Sequence, residues 1–87
     1  MARFEVPSLD EGSLVGAGMS DEIFFQLGLR HSTGAEINLI EAHKWFNLAA
    51  ARGHREAAFR RGELAAEMSA SDIASAQRAA RAFLTMH

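Results

Sequence analysis

The chain has no cysteine, no tyrosine, one proline and one tryptophan among its 87 residues. The absence of cysteine excludes disulfides and thiolate metal sites. With so few residues that favour strands, and with seventeen alanines, the composition favours helices. We therefore expect an all-α fold in which small side chains let the helices approach closely.

Long apolar runs and a strong net charge are also missing. No stretch of 18 apolar residues is present, so we expect no membrane insertion. The acidic residues Glu5, Asp10 and Glu11 interrupt every candidate signal-peptide run, and this predicts a cytoplasmic protein. A net charge of -2 excludes a strongly basic nucleic-acid binder, although local basic patches remain open.

Residues 1–19 combine three glycines, one proline and three acidic residues with no helical period. We interpret them as an irregular tail, and residues 20–87 as one small helical domain. Ser20, Asn38 and Ser69 are N-cap candidates, whereas Gly34 and Gly53 are stop signals. The predicted helices span residues 20–33, 39–52, 54–68 and 70–85.

Two of these helices have unusual patterns. The second helix is apolar on two faces, which indicates neighbours on both sides. The third contains Gly62 at an interior position, and we expect another backbone to approach it closely. The predicted apolar edge of the third helix contains Ala58, Gly62 and Ala65. The fourth is expected to bury Ile73, Ala76, Ala80, Phe83 and Leu84.

The sequence contains a weak internal repeat. A shift of 34 residues superposes Phe25 on Phe59 and Gly28 on Gly62, so the first helix corresponds to the third and the second to the fourth. A period near 34 with two helices per unit is typical of helical solenoids.

The residues that carry a family resemblance follow one another in order between positions 27 and 53. They are Leu27, Gly28, Gly34, Ala42, Trp45, Phe46, Ala49, Ala50 and Gly53. This pattern resembles the Sel-one-like repeats of short bacterial proteins, which are related to tetratricopeptide repeats. The resemblance implies a short right-handed superhelical array of antiparallel helix pairs, with a complete repeat at 20–53 and a degenerate repeat or cap at 54–87. It also implies a non-enzymatic protein–protein interaction module.

Catalytic and metal-binding patterns were sought among the polar residues. The four histidines lack the spacing of metal ligands, so we expect no metal site. No nucleophile stands beside a base and no paired carboxylates are evident, so we expect neither catalysis nor a cofactor.

The first helix carries an apolar pair, Phe25 and Leu29, outside the positions that the repeat pattern buries. This pair either packs against the tail or the third helix, or forms a strip on which a partner docks. For the docking interpretation, the predicted contact residues are Phe25, Leu29, Arg30, Arg60 and Glu63.

The expected partner is another protein, which the chain serves as an adaptor or accessory subunit. One alternative is a permanent subunit whose tail is embedded in a larger complex. The other is a small nucleic-acid-binding regulator that uses the cluster Arg52, Arg55, Arg60 and Arg61, although Glu56 and Glu63 lie among these arginines.

Overall fold

The computed structural model describes residues 20–86. It contains four α-helices and no strand within that range, so the all-α prediction with four helices is confirmed. The helices are α1 (Asp21–Ser32), α2 (Leu39–Ala51), α3 (Arg55–Ala65) and α4 (Ala70–Met86). The predicted irregular tail at 1–19 lies outside the described residues.

Side-chain caps begin the helices where the sequence predicts them. The Ser20 hydroxyl accepts a hydrogen bond from the Ile23 N–H, and Asn38 Oδ1 accepts one from the Glu41 N–H at 3.1 Å. Ser69 Oγ does the same for the Asp72 N–H at the start of α4. Each cap satisfies a backbone donor that would otherwise lack a partner in the first turn.

Glycines with positive φ reverse the chain after α1 and α2. Gly34 has φ 93° and Gly53 has φ 97°, a conformation that other residues rarely adopt. Across Gly53, the His54 N–H donates to the Ala49 carbonyl and closes the end of α2. The expectation that Gly53 ends the second helix in this way is confirmed.

The third helix is shorter than predicted. It ends at Ala65, and the Glu67 and Met68 N–H groups bond three residues back in a tight turn. This turn leads directly into the Ser69 cap of α4. The prediction that the helix continues to Met68 is therefore wrong.

Helix α2 is the centre of the fold and packs against the three other helices. Its closest contact is with α1, where the Phe46 ring lies directly over Gly28. By contrast, α3 and α4 make no comparable contact with each other within the described part of the chain. The second pair of helices therefore does not form the same close hairpin as the first.

Aromatic rings fill the space on both sides of α2. Phe24 stacks on Trp45 at 5.8 Å between ring centroids, and Phe83 of α4 meets Trp45 edge-on at 5.1 Å. On the other side, the rings of Phe25 and Phe46 lie 5.7 Å apart. Rings of this size supply most of the apolar area that so small a domain can bury.

Three predictions about packing are wrong. Helix α3 buries Ala57 instead of Ala58, because the side of α3 that packs against α2 is the side that carries Ala57. No described atom lies near the position that a Cβ at Gly62 would occupy, so no described backbone approaches it. Leu84 is 53% exposed, because α4 turns the neighbouring Phe83, and not Leu84, toward Phe24 and Trp45. The predicted burial of Ala76 and Ala80 is confirmed.

Candidate functional site

A cleft of about 240 Å³ lies between the end of α1 and α3. Helix α1 contributes Ser32, and the loop that follows contributes Thr33. The remaining wall comes from Phe46 of α2 and from residues on α3 and in the turn after it. These are Arg60, Glu63, Leu64 and Glu67. The cleft thus contains two of the five residues predicted to contact a partner, Arg60 and Glu63.

Most polar groups around the cleft are hydrogen-bond acceptors. Glu63 and Glu67 are exposed and form no ion pair with any described residue. The hydroxyls of Ser32 and Thr33 both donate to the Leu29 carbonyl, at 3.1 and 2.9 Å. Their oxygen lone pairs therefore remain available to a ligand, and the ligand must supply the donors.

Among the described residues, Arg60 is the one cation that lines the cleft. Its Nε donates to Glu56 at 3.0 Å, one helical turn earlier, so its charge is partly offset. With Arg60 paired in this way, the unpaired carboxylates determine the sign of the local field, and the cleft favours positive charge.

Phe25 does not form the exposed strip proposed for docking. It is only 8% exposed and stacks on the His54 ring with 4.3 Å between centroids. Leu29 is half-buried against the same core. Phe25 therefore packs on the N-cap residue of α3, as the interpretation that it packs against the third helix expects. Arg30 is exposed on α1 and does not line the cleft.

The four arginines of the predicted basic cluster point to different surroundings. The Arg61 guanidinium donates to Asn47 Oδ1 at 2.6 Å, and the Arg52 guanidinium lies 5.1 Å from the centre of the Phe24 ring. Arg60 pairs with Glu56, and Arg55 is exposed with no ion pair among the described residues. Arg60 and Arg61 are thus already engaged within the fold, which leaves fewer of the four to neutralise phosphates.

His54 connects the starts of α1 and α3. Its Nδ1 accepts a hydrogen bond from the Ala57 N–H, and its Nε2 lies 3.0 Å from Glu22 Oε1. Since Nδ1 accepts, Nε2 carries the proton and donates to the carboxylate. The hydrogen bond from Gln26, together with the one from His54, lowers the pKa of Glu22. These contacts give His54 a structural role.

His43 is the buried polar residue of α2. It is 3% exposed, and its Nδ1 has no hydrogen-bond partner among the described residues. Burial, and secondly the positive charge of Arg61, lower the pKa of its ring. The ring is therefore neutral in the folded protein at neutral pH.

This burial predicts a loss of stability in mild acid. In the unfolded chain a histidine takes up its proton near pH 6.5, whereas folded His43 does so only at lower pH. Between these two values the unfolded state binds more protons, so the free energy of unfolding falls as the pH falls. Urea unfolding of the natural protein and of His43→Leu between pH 7.5 and 5 measures the effect. As the pH drops below 6.5, the free energy of unfolding of the natural protein should fall relative to that of His43→Leu. If the two free energies changed with pH in parallel, the neutral, buried state of His43 would be contradicted.

The residues that sequence reasoning missed are Ser32, Thr33, Leu64 and Glu67. Arg60, Glu63, Leu64 and Glu67 follow the i, i+3, i+4, i+7 spacing of one helix face. The spacing could therefore have identified the residues on the α3 side of the cleft. No sequence pattern identifies the residues on the α1 side, because their position depends on how α1 and α3 both pack against α2.

Within residues 20–86 no group of three or more histidine, aspartate or glutamate side chains could hold a metal ion. No helix in that range combines the length and the apolar character that crossing a bilayer requires. Comparison with known proteins finds no matching family model, no matching curated protein and no matching solved structure. The resemblance to Sel-one-like repeats therefore rests on the residues quoted above.

Proposed function

We propose that this protein is a non-enzymatic interaction module, an adaptor or accessory subunit, that binds a segment of another protein in the cleft between α1 and α3. The cleft itself is the observation that carries this proposal. It is the site where an apolar surface, unpaired carboxylates and free acceptor oxygens come together. Several of the other described polar side chains pair within a helix.

The chemistry of the cleft indicates which segment would bind. Lysine and arginine side chains combine an apolar stem with a head that only donates hydrogen bonds. The stem would lie against Leu64, and the head would meet Glu63 and Glu67. The proposed ligand is therefore a short segment that carries a cationic residue beside an apolar one.

The family resemblance supports the same class of function. Helical repeat proteins commonly bind partners along the inner surface of their arrays. Membership of the Sel-one-like family, a bacterial source and a cytoplasmic location all stay predictions from the sequence. So does the alternative in which the chain is a permanent subunit of a larger complex.

A display library of random peptides, selected on the purified full-length protein, tests the proposal. We expect enrichment of peptides with lysine or arginine next to a large apolar residue. Glu67→Lys should weaken their binding about tenfold, because it places a positive charge in the cleft. Glu36→Lys is the matched control, since it makes the same charge change at an exposed residue that does not line the cleft.

Two outcomes would contradict the proposal. One is a selection with no enrichment, and the other is enriched peptides whose binding Glu67→Lys and Glu36→Lys alter equally. Labelled RNA and DNA serve as further ligands at physiological ionic strength. Saturable binding that weakens steeply with salt would instead favour the nucleic-acid regulator.

A further inference from the structure

The outer face of α3 is an exposed surface that the fold does not use. Phe59 is 63% exposed, more than any other described aromatic side chain, although phenylalanine is usually buried. Ala58, Gly62 and Ala66 surround it and are also exposed. Since nothing lies near the missing side chain of Gly62, another helix could approach this face closely.

The charges on this face are self-complementary. Arg55 lies four residues before Phe59, and Glu63 lies four residues after it, so the three share one side of the helix. Neither Arg55 nor Glu63 has an ion pair among the described residues. When a second α3 is placed antiparallel with the two-fold axis at Phe59, each Arg55 faces the Glu63 of the other copy.

We propose that the outer face of α3 is a homodimer interface, in which two copies pack α3 against α3 in antiparallel orientation about a two-fold axis at Phe59. A two-fold contact requires one patch to complement itself, and this face meets that condition in both shape and charge. Phe59 supplies the apolar centre, and Gly62 leaves room for the partner ring. The two Arg55–Glu63 pairs set the orientation, since a parallel arrangement would place like charges opposite each other.

The interface is small, and the dimer is correspondingly weak. Helix α3 has 11 residues and is therefore about 16 Å long. The contact falls below the roughly 1,200 to 2,000 Å² that stable complexes bury. We expect a dissociation constant of roughly 10 µM to 1 mM, which places the measurement at high protein concentration.

Sedimentation equilibrium of the full-length protein from 10 µM to about 2 mM tests the dimer. The apparent mass should rise from 9.5 kDa toward twice that value. Phe59→Ser should weaken association at least tenfold, whereas Gln77→Ser, an exposed change on α4, should not. Circular dichroism verifies that each variant is folded. A constant monomer mass, or a dimer that Phe59→Ser leaves intact, would overturn the proposal.

Charge reversal tests the orientation. Arg55→Glu alone gives two negative positions on each face, and Glu63→Arg alone gives two positive ones. Each variant should associate about tenfold more weakly than the natural protein, whereas an equimolar mixture should form a heterodimer in which every pair is restored. Added salt should weaken this heterodimer. If the mixture associates no better than either variant alone, the Arg55–Glu63 pairs are wrong. The double variant Arg55→Glu/Glu63→Arg decides the orientation, because in an antiparallel contact it restores both pairs with a second copy of itself but repels the natural protein. Heterodimers of the double variant with the natural protein would show that the antiparallel register is wrong.

The dimer and the cleft share Glu63, but variants at other residues test them separately. Glu67 lines the cleft but lies outside the proposed α3 contact, and Phe59 does the reverse. Glu67→Lys should lose peptide binding but still dimerise, and Phe59→Ser should lose dimerisation but still bind peptides. These two results would show that the cleft and the dimer interface are separate surfaces.

Discussion

Phe46→Ala is expected to unfold the domain at or near room temperature. The Phe46 ring is 1% exposed and touches both Phe25 and the backbone of Gly28, so its loss opens a cavity where α1 meets α2. Such substitutions cost about 3 to 5 kcal/mol. A core this small supplies only about 3 to 5 kcal/mol of net stability. The variant should therefore show no cooperative thermal transition.

The matched control for this experiment is Phe59→Ala, which makes the same change on the exposed face of α3. Followed by circular dichroism at low protein concentration, the control should melt within a few degrees of the natural protein. Trp45→Ala should also destabilise strongly, but less than Phe46→Ala, because Trp45 is only half-buried. Similar midpoints for the Phe46 and Phe59 variants would contradict the described core.

Gly28→Ala is expected to destabilise the protein, although alanine is the better helix former. A Cβ at position 28 would overlap the Phe46 ring, so that α1 and α2 must move apart. Overpacking of this kind typically costs about 1 to 3 kcal/mol. Urea unfolding should show a midpoint well below that of the natural protein.

Gly62→Ala is the control that the internal repeat provides. Gly62 occupies the equivalent place in α3 but has open space around it, so alanine should stabilise the helix by up to about 1 kcal/mol. Gly28→Ala and Gly62→Ala should thus change the free energy of unfolding in opposite directions. Phe46→Leu replaces the ring with a smaller side chain, so it should relieve part of the destabilisation that Gly28→Ala causes. Equal effects of both glycine substitutions would show that α1 and α2 do not approach as described.

Apart from the end of α3, local signals predicted the helix boundaries, because those signals act within one turn. Ser20, Asn38 and Ser69 cap backbone N–H groups three residues ahead, and the Gly53 turn requires only its own φ. The close approach at Gly28 was also predictable, since the repeat pattern pairs small residues with the large rings of α2. These features need no knowledge of how distant elements pack.

The errors and the open alternatives arose where burial depends on a distant neighbour. The sequence left open whether Phe25 packs internally or docks a partner, because the His54 ring that covers it is brought there by the α2–α3 turn, which returns to the start of α1. Gly62 repeats Gly28 in sequence, but α3 and α4 do not form a close pair, so its surroundings are open. The cleft was predicted only in part, because Ser32 and Thr33 join it through tertiary packing.

Site-specific photo-cross-linking in living cells tests the central claim that the cleft binds a protein segment. A photoreactive phenylalanine analogue replaces either Thr33, at the rim of the cleft, or Ala82, an exposed residue on α4. The account predicts a discrete cross-linked product of one partner from position 33, lost when Glu67→Lys is added, and none from position 82. The account would be contradicted if position 33 gave no product, or if both positions gave the same one.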